Sequence, residues 1–462
     1  MLIFIAIFVS SYFRMMPSEL PITENWAENT VNNFYQNQIK DQINQQYPNL
    51  PEQNKAALVN KEFQNALKEN KEQIKRDITQ ISQQYKANFQ DENGETYLLA
   101  IDPYLWYSQA RNVINYGHLG DKLIDGEPYF SLRDGRLDKR SSVQLHPYIA
   151  AYTYKFLHFF NRNMTLMRAL FLLPAILIGL ALIPTFFIGR KIAGNVGGFF
   201  AAIFLAINGP LLGRTPAGFA DTDAYSILFP VIILWLFLEA YTCEKEKYSW
   251  LWTSLAGLFV GFYAATWSGW SYVFWFVIGS ILLALLIKII YQMFINKNKI
   301  SELIKKINLK ENLTQLIIFI ITSGIFVTWF KAWGSFSGAF NRILQFMTLK
   351  EVGIKSIWPN VLTTVAEFNT ISFTQIINQM GGKFLFFVAS LGIILTLLKK
   401  NKEKKIEFVY FTLLLIWFAA TAYSFTKGTR FAILMAPPFA IALGSAFGIA
   451  YEKFGEWLSK GI

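Results

Sequence analysis

The sequence predicts an all-α protein that threads a membrane many times, and three observations predict it. Hydrophobic residues make up 53% of the 462 positions and aromatic residues 17%, more than a soluble core uses. The apolar residues are gathered into runs approaching the ~20 residues that a helix needs to cross a bilayer. The lysines and arginines behind the net charge of +12 fall mainly between those runs and in one polar stretch after the first.

Taken in order, residues 1–16 hold a first span built on Leu2–Phe13. Residues 17–168 form a first extracytoplasmic loop. Within it, 24–93 is rich in Gln, Asn, Lys and Glu, with apolar residues at helical spacing around Leu58, Phe63 and Leu67, and reads as a solvated helical insertion. Residues 169–330 carry the runs Ala169–Gly189, Ala193–Ile207, Tyr225–Tyr241, Trp250–Thr266, Tyr272–Ile295 and Leu316–Phe330, with an outer loop at 208–224. A second long outer loop covers 331–383. Residues 384–462 add Phe384–Leu398, Phe408–Ala422 and Phe431–Ala450, giving about ten crossings in all.

Sides follow from charge, because short cytoplasmic loops carry excess Lys and Arg. Arg190-Lys191, the loop around Lys245 and Lys247, the lysine-rich run Asn296–Asn312 and Lys399–Lys405 are placed inside. They occupy every second connection, which sends the remaining loops outside. The basic residues are therefore a topology signal, and nucleic acid is not a predicted partner. The single Cys243 allows no intramolecular disulfide and no Cys-rich metal site. No internal repeat, P-loop or dinucleotide glycine motif is present, so ATP is not the predicted fuel.

Acidic residues at the outer span ends carry the chemistry, since a carboxylate near hydrocarbon is costly without a partner. Asp102 lies in the apolar and aromatic strip Leu98–Tyr107, with Arg111 nine residues on. Asp followed by Pro is also a common helix start. Asp221 and Asp223 sit in a Gly- and Pro-containing loop directly before a span, where two carboxylates spaced this way converge on a hard cation such as Mg²⁺ or Mn²⁺ or else cap the next helix. Arg214, seven residues before Asp221, favours the cation, because a fixed guanidinium beside a metal suits a phosphate-bearing substrate. Glu367 lies in the second long outer loop, where a lone Glu is usually only solvated, but charge puts it on the same side as the other acids. Arg430 precedes the last apolar run and either anchors it at the headgroups or joins Arg214 on a diphosphate.

These residues resemble the membrane domain of the STT3-type oligosaccharyltransferase catalytic subunit, in its archaeal form. The matching pieces run in the family's order: Asp102-Pro103-Tyr104; Gly213 to Asp223, with its DxD; Thr364-Val365-Ala366-Glu367; and Gly428-Thr429-Arg430-Phe431. Leu145-His146-Pro147 and Thr266–Trp270 are similar to further archaeal segments. The resemblance implies a glycosyltransferase of the GT-C type, with about 10–13 transmembrane helices. It implies an enzyme of the cell membrane, acting at the extracytoplasmic face, that moves an oligosaccharide from a polyprenyl phosphate or diphosphate to the Asn of Asn-X-Ser/Thr in an acceptor polypeptide. Asp102, Asp221 and Asp223 would surround Mn²⁺ or Mg²⁺. Asp102 and Glu367 would be catalytic and hold the acceptor amide, and Arg214 and Arg430 would bind the donor phosphate.

One departure is expected to matter. The WWDYG motif, which reads the sequon in family members, is absent from the 462 residues. The expectation is a membrane domain only, either partnered by a separate chain carrying WWDYG or an inactive or split fragment. The nearest alternative is another GT-C transferase using a polyprenyl-phosphate sugar. A transporter would place its acids at mid-bilayer on broken helices rather than at span ends.

Overall fold

The computed structural model describes residues 1–131, 139–140, 144–294, 309–347, 366–399 and 407–460. Most of the lysine-rich run after Phe294, most of the Lys399–Lys405 run, and Thr364-Val365 lie outside the described residues.

The described chain forms two compact units, Met15–Leu99 and Met1–Arg14 with Ala100–Ile462. The smaller unit is built from α2 (Ile22–Gln46), α3 (Glu52–Glu69) and α4 (Lys71–Ala87), which follow α1 (Leu2–Met15). Its core is made of sparse apolar residues: Ala27, Val31, Ile43, Phe63 and Ile74 are buried. Thr23 and Ser82 hydrogen-bond at 3.0 Å, and Tyr35 donates to Asp77.

The larger unit continues with α5 (Asp102–Tyr116), a small antiparallel sheet of β1 (Lys122–Ile124), β2 (Glu127–Phe130) and β3 (Lys139–Arg140) in that order, and α6 (His146–Phe160). Then come α7 (Leu166–Ala206), α8 (Gly209–Arg214), α9 (Tyr225–Thr242), α10 (Glu246–Thr266) and α11 (Ser271–Phe294). The remaining helices are α12 (Leu309–Phe330), α13 (Trp333–Met347), α14 (Phe373–Gln379), α15 (Gly382–Leu395), α16 (Phe408–Lys427) and α17 (Ala432–Lys460).

Seven helical segments among the described residues are long and apolar enough to cross a membrane, eight if α14 and α15, bent by 91°, are one span. The expected ten include α10 and count α7 twice. Doubling α7 has a physical basis. At Ala193 and Gly194 the backbone leaves the helix, with Gly194 at φ +70°, and Gly189 lies against Gly197, Gly198 and Ala201 beyond the break. The chain therefore doubles back there as a helical hairpin, three residues after the Arg190-Lys191 pair that marked the turn in the sequence.

Glycines also set the crossing of α7 and α17. A Cβ on Gly444 would strike the Gly197 carbonyl, and one on Gly448 the Ala193 carbonyl, so α17 packs on α7 backbone to backbone. Small residues serve this purpose where lipid tails are as apolar as leucine and close contact must drive association. Around this crossing Ala440, Ile441, Leu443 and Leu205 are fully buried.

Candidate active site

The DxD loop is fixed from both ends. Asn208 caps α8 by accepting from the Leu211 amide, which places Arg214 on its last turn. Beyond it the Ala217 amide donates to the Arg14 carbonyl and the Gly218 amide to the Phe171 carbonyl. Gly218 turns at φ +91°, a conformation glycine adopts without a Cβ penalty.

Arg14 clamps the same loop from inside. Its guanidinium is fully buried and donates to Thr215 Oγ1 at 3.1 Å, Ser10 Oγ at 2.8 Å and the Ala206 carbonyl at 2.9 Å. Thr215 in turn donates to the Leu211 carbonyl. The sequence carried a signal for Arg14, because an arginine at the outer end of a span runs against the positive-inside rule.

The four charged residues expected on three separate loops meet. Arg214 Nη1 donates to Glu367 Oε1 at 2.7 Å, and Arg214 Nε lies 3.1 Å from Asp223 Oδ2. Arg430 Nη1 stands 3.7 Å from Glu367 Oε2. Both oxygens of Glu367 thus face arginines, and a single guanidinium holds acids from two loops. The Glu367 backbone is held as well, since Thr429 Oγ1 donates to its carbonyl and Arg430 stacks over Phe368. The bond from Arg214 holds the Glu367 carboxyl below the usual carboxylate range, against the opposing effect of burial. Burial lowers the Arg214 value, but the bond to Glu367 and the charges of Asp223 and Asp221 outweigh it, and the guanidinium is raised.

Asp221 has a different role from Asp223. Its Oδ1 accepts from the Thr222 amide at 2.7 Å, capping a short 3-10 turn at Thr222–Ala224, and from Trp106 Nε1 at 3.0 Å. Asp223 is buried, and its Oδ2 has no hydrogen bond among the described residues, because the contact with Arg214 lacks hydrogen-bond alignment. Asp102 is exposed at the first position of α5, followed by Pro103, one turn before Trp106. No described bond joins Asp102 to Asp221 or Asp223, and among the described residues no three acids, histidines or cysteines are gathered closely enough to hold an ion.

His146 sits beneath this loop with no exposed surface. Its Nε2 faces the Ala220 carbonyl at 3.1 Å, so Nε2 carries the proton, and its Nδ1 accepts from the Tyr225 hydroxyl at 2.9 Å. Burial pushes the imidazole down to about 4, although the Ala220 bond and the Asp221 charge pull the other way. Folding therefore excludes a proton that the unfolded chain takes up below about 6.5. The stability His146 brings is fully present above that value and is lost as pH falls towards 4, by about 2 kcal/mol at pH 5. Thermal unfolding in detergent between pH 7.5 and 5 should show this slope, and His146→Gln should flatten it.

Relatives agree with this architecture. Residues 74–461 match the model of the oligosaccharyl transferase STT3 N-terminal family. The chain is 33% identical over 407 residues to a dolichyl-phosphooligosaccharide-protein glycotransferase of Methanococcus voltae, covering 82% of this chain and 44% of that protein. It is 31% identical over 458 residues to the Methanocaldococcus jannaschii protein of the same description, covering 80% and 48%. The apo oligosaccharyltransferase of Archaeoglobus fulgidus superposes with a TM-score of 0.53 at 17% identity, covering 79% of this chain and 48% of that one. The archaeal oligosaccharyltransferase AglB from Archaeoglobus fulgidus, in complex with an inhibitory peptide and a dolichol-phosphate, gives 0.50 at 18% identity, covering 79% of this chain and 48% of that one, and both likenesses speak for the fold. The chain spans about half the length of the curated relatives it matches. It is a multi-pass membrane protein, and it belongs to the STT3 oligosaccharyltransferase family.

Proposed function

We propose that the chain transfers an oligosaccharide from a polyprenyl phosphate or diphosphate to the Asn of Asn-X-Ser/Thr at the extracytoplasmic face. The observation that carries this is the convergence of Arg214, Arg430, Glu367 and Asp223 from three loops into one partly buried charge cluster. Arg214 and Arg430 bind the donor phosphate, for which a planar guanidinium is the fitting partner. Glu367 and Asp102 hold the acceptor amide by accepting its hydrogens, weakening the delocalisation that makes the nitrogen a poor nucleophile. The nitrogen bonds to the anomeric carbon as the carbon–oxygen bond to phosphate breaks, the lipid phosphate leaves with the bonding electrons, and an amide proton is lost on the carboxylate side. Attack opposite the phosphate inverts the anomeric centre.

A divalent cation, Mn²⁺ or Mg²⁺, fits the donor set. Asp223 offers a buried oxygen without a hydrogen bond and Asp221 keeps Oδ2 free of the bonds made by Oδ1, while Asp102 on α5, which is not gathered with them in this structure, would have to approach to add a third hard oxygen ligand. Such an ion would neutralise charge developing on the leaving phosphate. A WWDYG domain, the expected reader of the sequon's Ser/Thr, is supplied as a separate chain in the simplest test.

That test incubates the purified chain, with and without a WWDYG domain, with lipid-linked oligosaccharides from the source cells and a fluorescent Asn-X-Thr peptide, in Mn²⁺ or EDTA. Glycopeptide that requires metal and disappears in Asp102→Ala is expected. Absence of product under every condition, with donor binding intact, would move the assignment to another GT-C transferase using a polyprenyl-phosphate sugar.

A further inference from the structure

We propose that His146 and Trp106 form a positioning unit that orients the DxD carboxylates for the cation, a role that rests on the divalent-cation site proposed for that loop. The three acids of that site lie on two segments, and both segments end on one buried imidazole. His146 Nε2 donates to the carbonyl of Ala220, the residue immediately before Asp221. Its ring packs edge-on against Trp106, with centroids 5.3 Å apart, and Trp106 Nε1 donates to Asp221 Oδ1. Trp106 lies four residues after Asp102 on α5, hence on the same helix face. On the other side the Tyr225 hydroxyl bonds His146 Nδ1 two residues after Asp223. One ring thus keys α5, the backbone before Asp221 and the start of α9 together.

A ring that only filled space would need no polar partner, yet both nitrogens of His146 are used. With Ala220 accepting at Nε2 and Tyr225 donating at Nδ1, one neutral tautomer is selected and the ring cannot flip without losing both bonds. Groups that hold metal-ligating carboxylates in this way set affinity without joining the ligands, and their loss typically costs about 10–100-fold in metal binding. The sequence pattern Leu145-His146-Pro147 stood out without a role, and the geometry supplies one.

The test is Mn²⁺ binding to the purified chain, read by electron paramagnetic resonance of the free ion, beside thermal unfolding of each variant. His146→Phe keeps the ring packing and deletes both hydrogen bonds, and should weaken Mn²⁺ by about 10–100-fold. His146→Gln, whose amide can reach the Ala220 carbonyl, should recover most of the affinity. Trp106→Phe, which removes only the bond to Asp221, should weaken binding by about 10-fold even if His146→Phe folds poorly. Unchanged Mn²⁺ affinity in folded His146→Phe and Trp106→Phe overturns the positioning role alone. Equal losses in the Phe and Gln variants, tracking a fall in unfolding temperature, also overturn it, because a purely structural ring would behave that way. No Mn²⁺ binding by the unaltered chain overturns the cation site and the positioning role together.

Discussion

A chain carrying Glu367→Gln is expected to bind the lipid-phosphate donor more tightly than the unaltered chain and yet to lose peptide transfer by roughly 10³-fold. The two effects have one cause. In the structure Glu367 occupies Arg214 with one oxygen and faces Arg430 with the other, so under the proposed roles a donor phosphate and this carboxylate compete for the same two guanidinium groups. A donor diphosphate carries one more negative charge and more acceptor oxygens than the carboxylate, and is expected to take the two guanidinium groups from Glu367 on binding. The released carboxylate is then free to receive the acceptor amide. Donor binding should therefore precede productive acceptor binding, and initial-rate kinetics should show the ordered pattern. Neutral Gln competes less for the arginines, which raises donor affinity, and holds the amide poorly, which stops transfer. Donor affinity measured on the purified variant decides the matter: a fall in step with activity would mean that Glu367 supports the arginines rather than competing for them.

The charged residues of this site were legible in the sequence because span ends expose them: Arg214, Asp223, Glu367 and Arg430 stand out against apolar runs, and the lysine pattern put them on one side. Their pairing was not legible. Arg214 and Glu367 are 153 residues apart, and nothing local says that one guanidinium takes both Asp223 and Glu367. Nor does spacing say that Asp221 uses one oxygen to cap the turn ahead of α9 while Asp223 stays buried beside Arg214. The residues hardest to read bond to groups that every sequence contains. His146 is held by a carbonyl and a hydroxyl, and Arg14 by two hydroxyls and a carbonyl, with partners up to 201 residues away. Span counting held even at α7, where the Arg190-Lys191 pair in the sequence marks the turn that Gly194 makes inside one long helical segment.

Arg214→Ala is expected to cost about 10³-fold in transfer and, separately, to destabilise the chain by a few kcal/mol, and a second substitution should divide the two losses. The catalytic part follows from the proposed role of the guanidinium, which would neutralise charge on the leaving phosphate. The stability part follows from Asp223, which is buried and has Arg214 as its one ion-pair partner among the described residues. Taking away one member of a buried pair leaves an uncompensated charge, and that is usually costlier than removing both. In Arg214→Ala with Asp223→Asn the buried charge is gone, so the unfolding temperature in detergent should return most of the way to that of the unaltered chain. Transfer should stay lost, because neither the guanidinium nor the Asp223 carboxylate is restored. A double variant no more stable than Arg214→Ala would show that the arginine stabilises the fold through Glu367 instead, and the same measurement on Arg214→Ala with Glu367→Gln would then recover the lost stability.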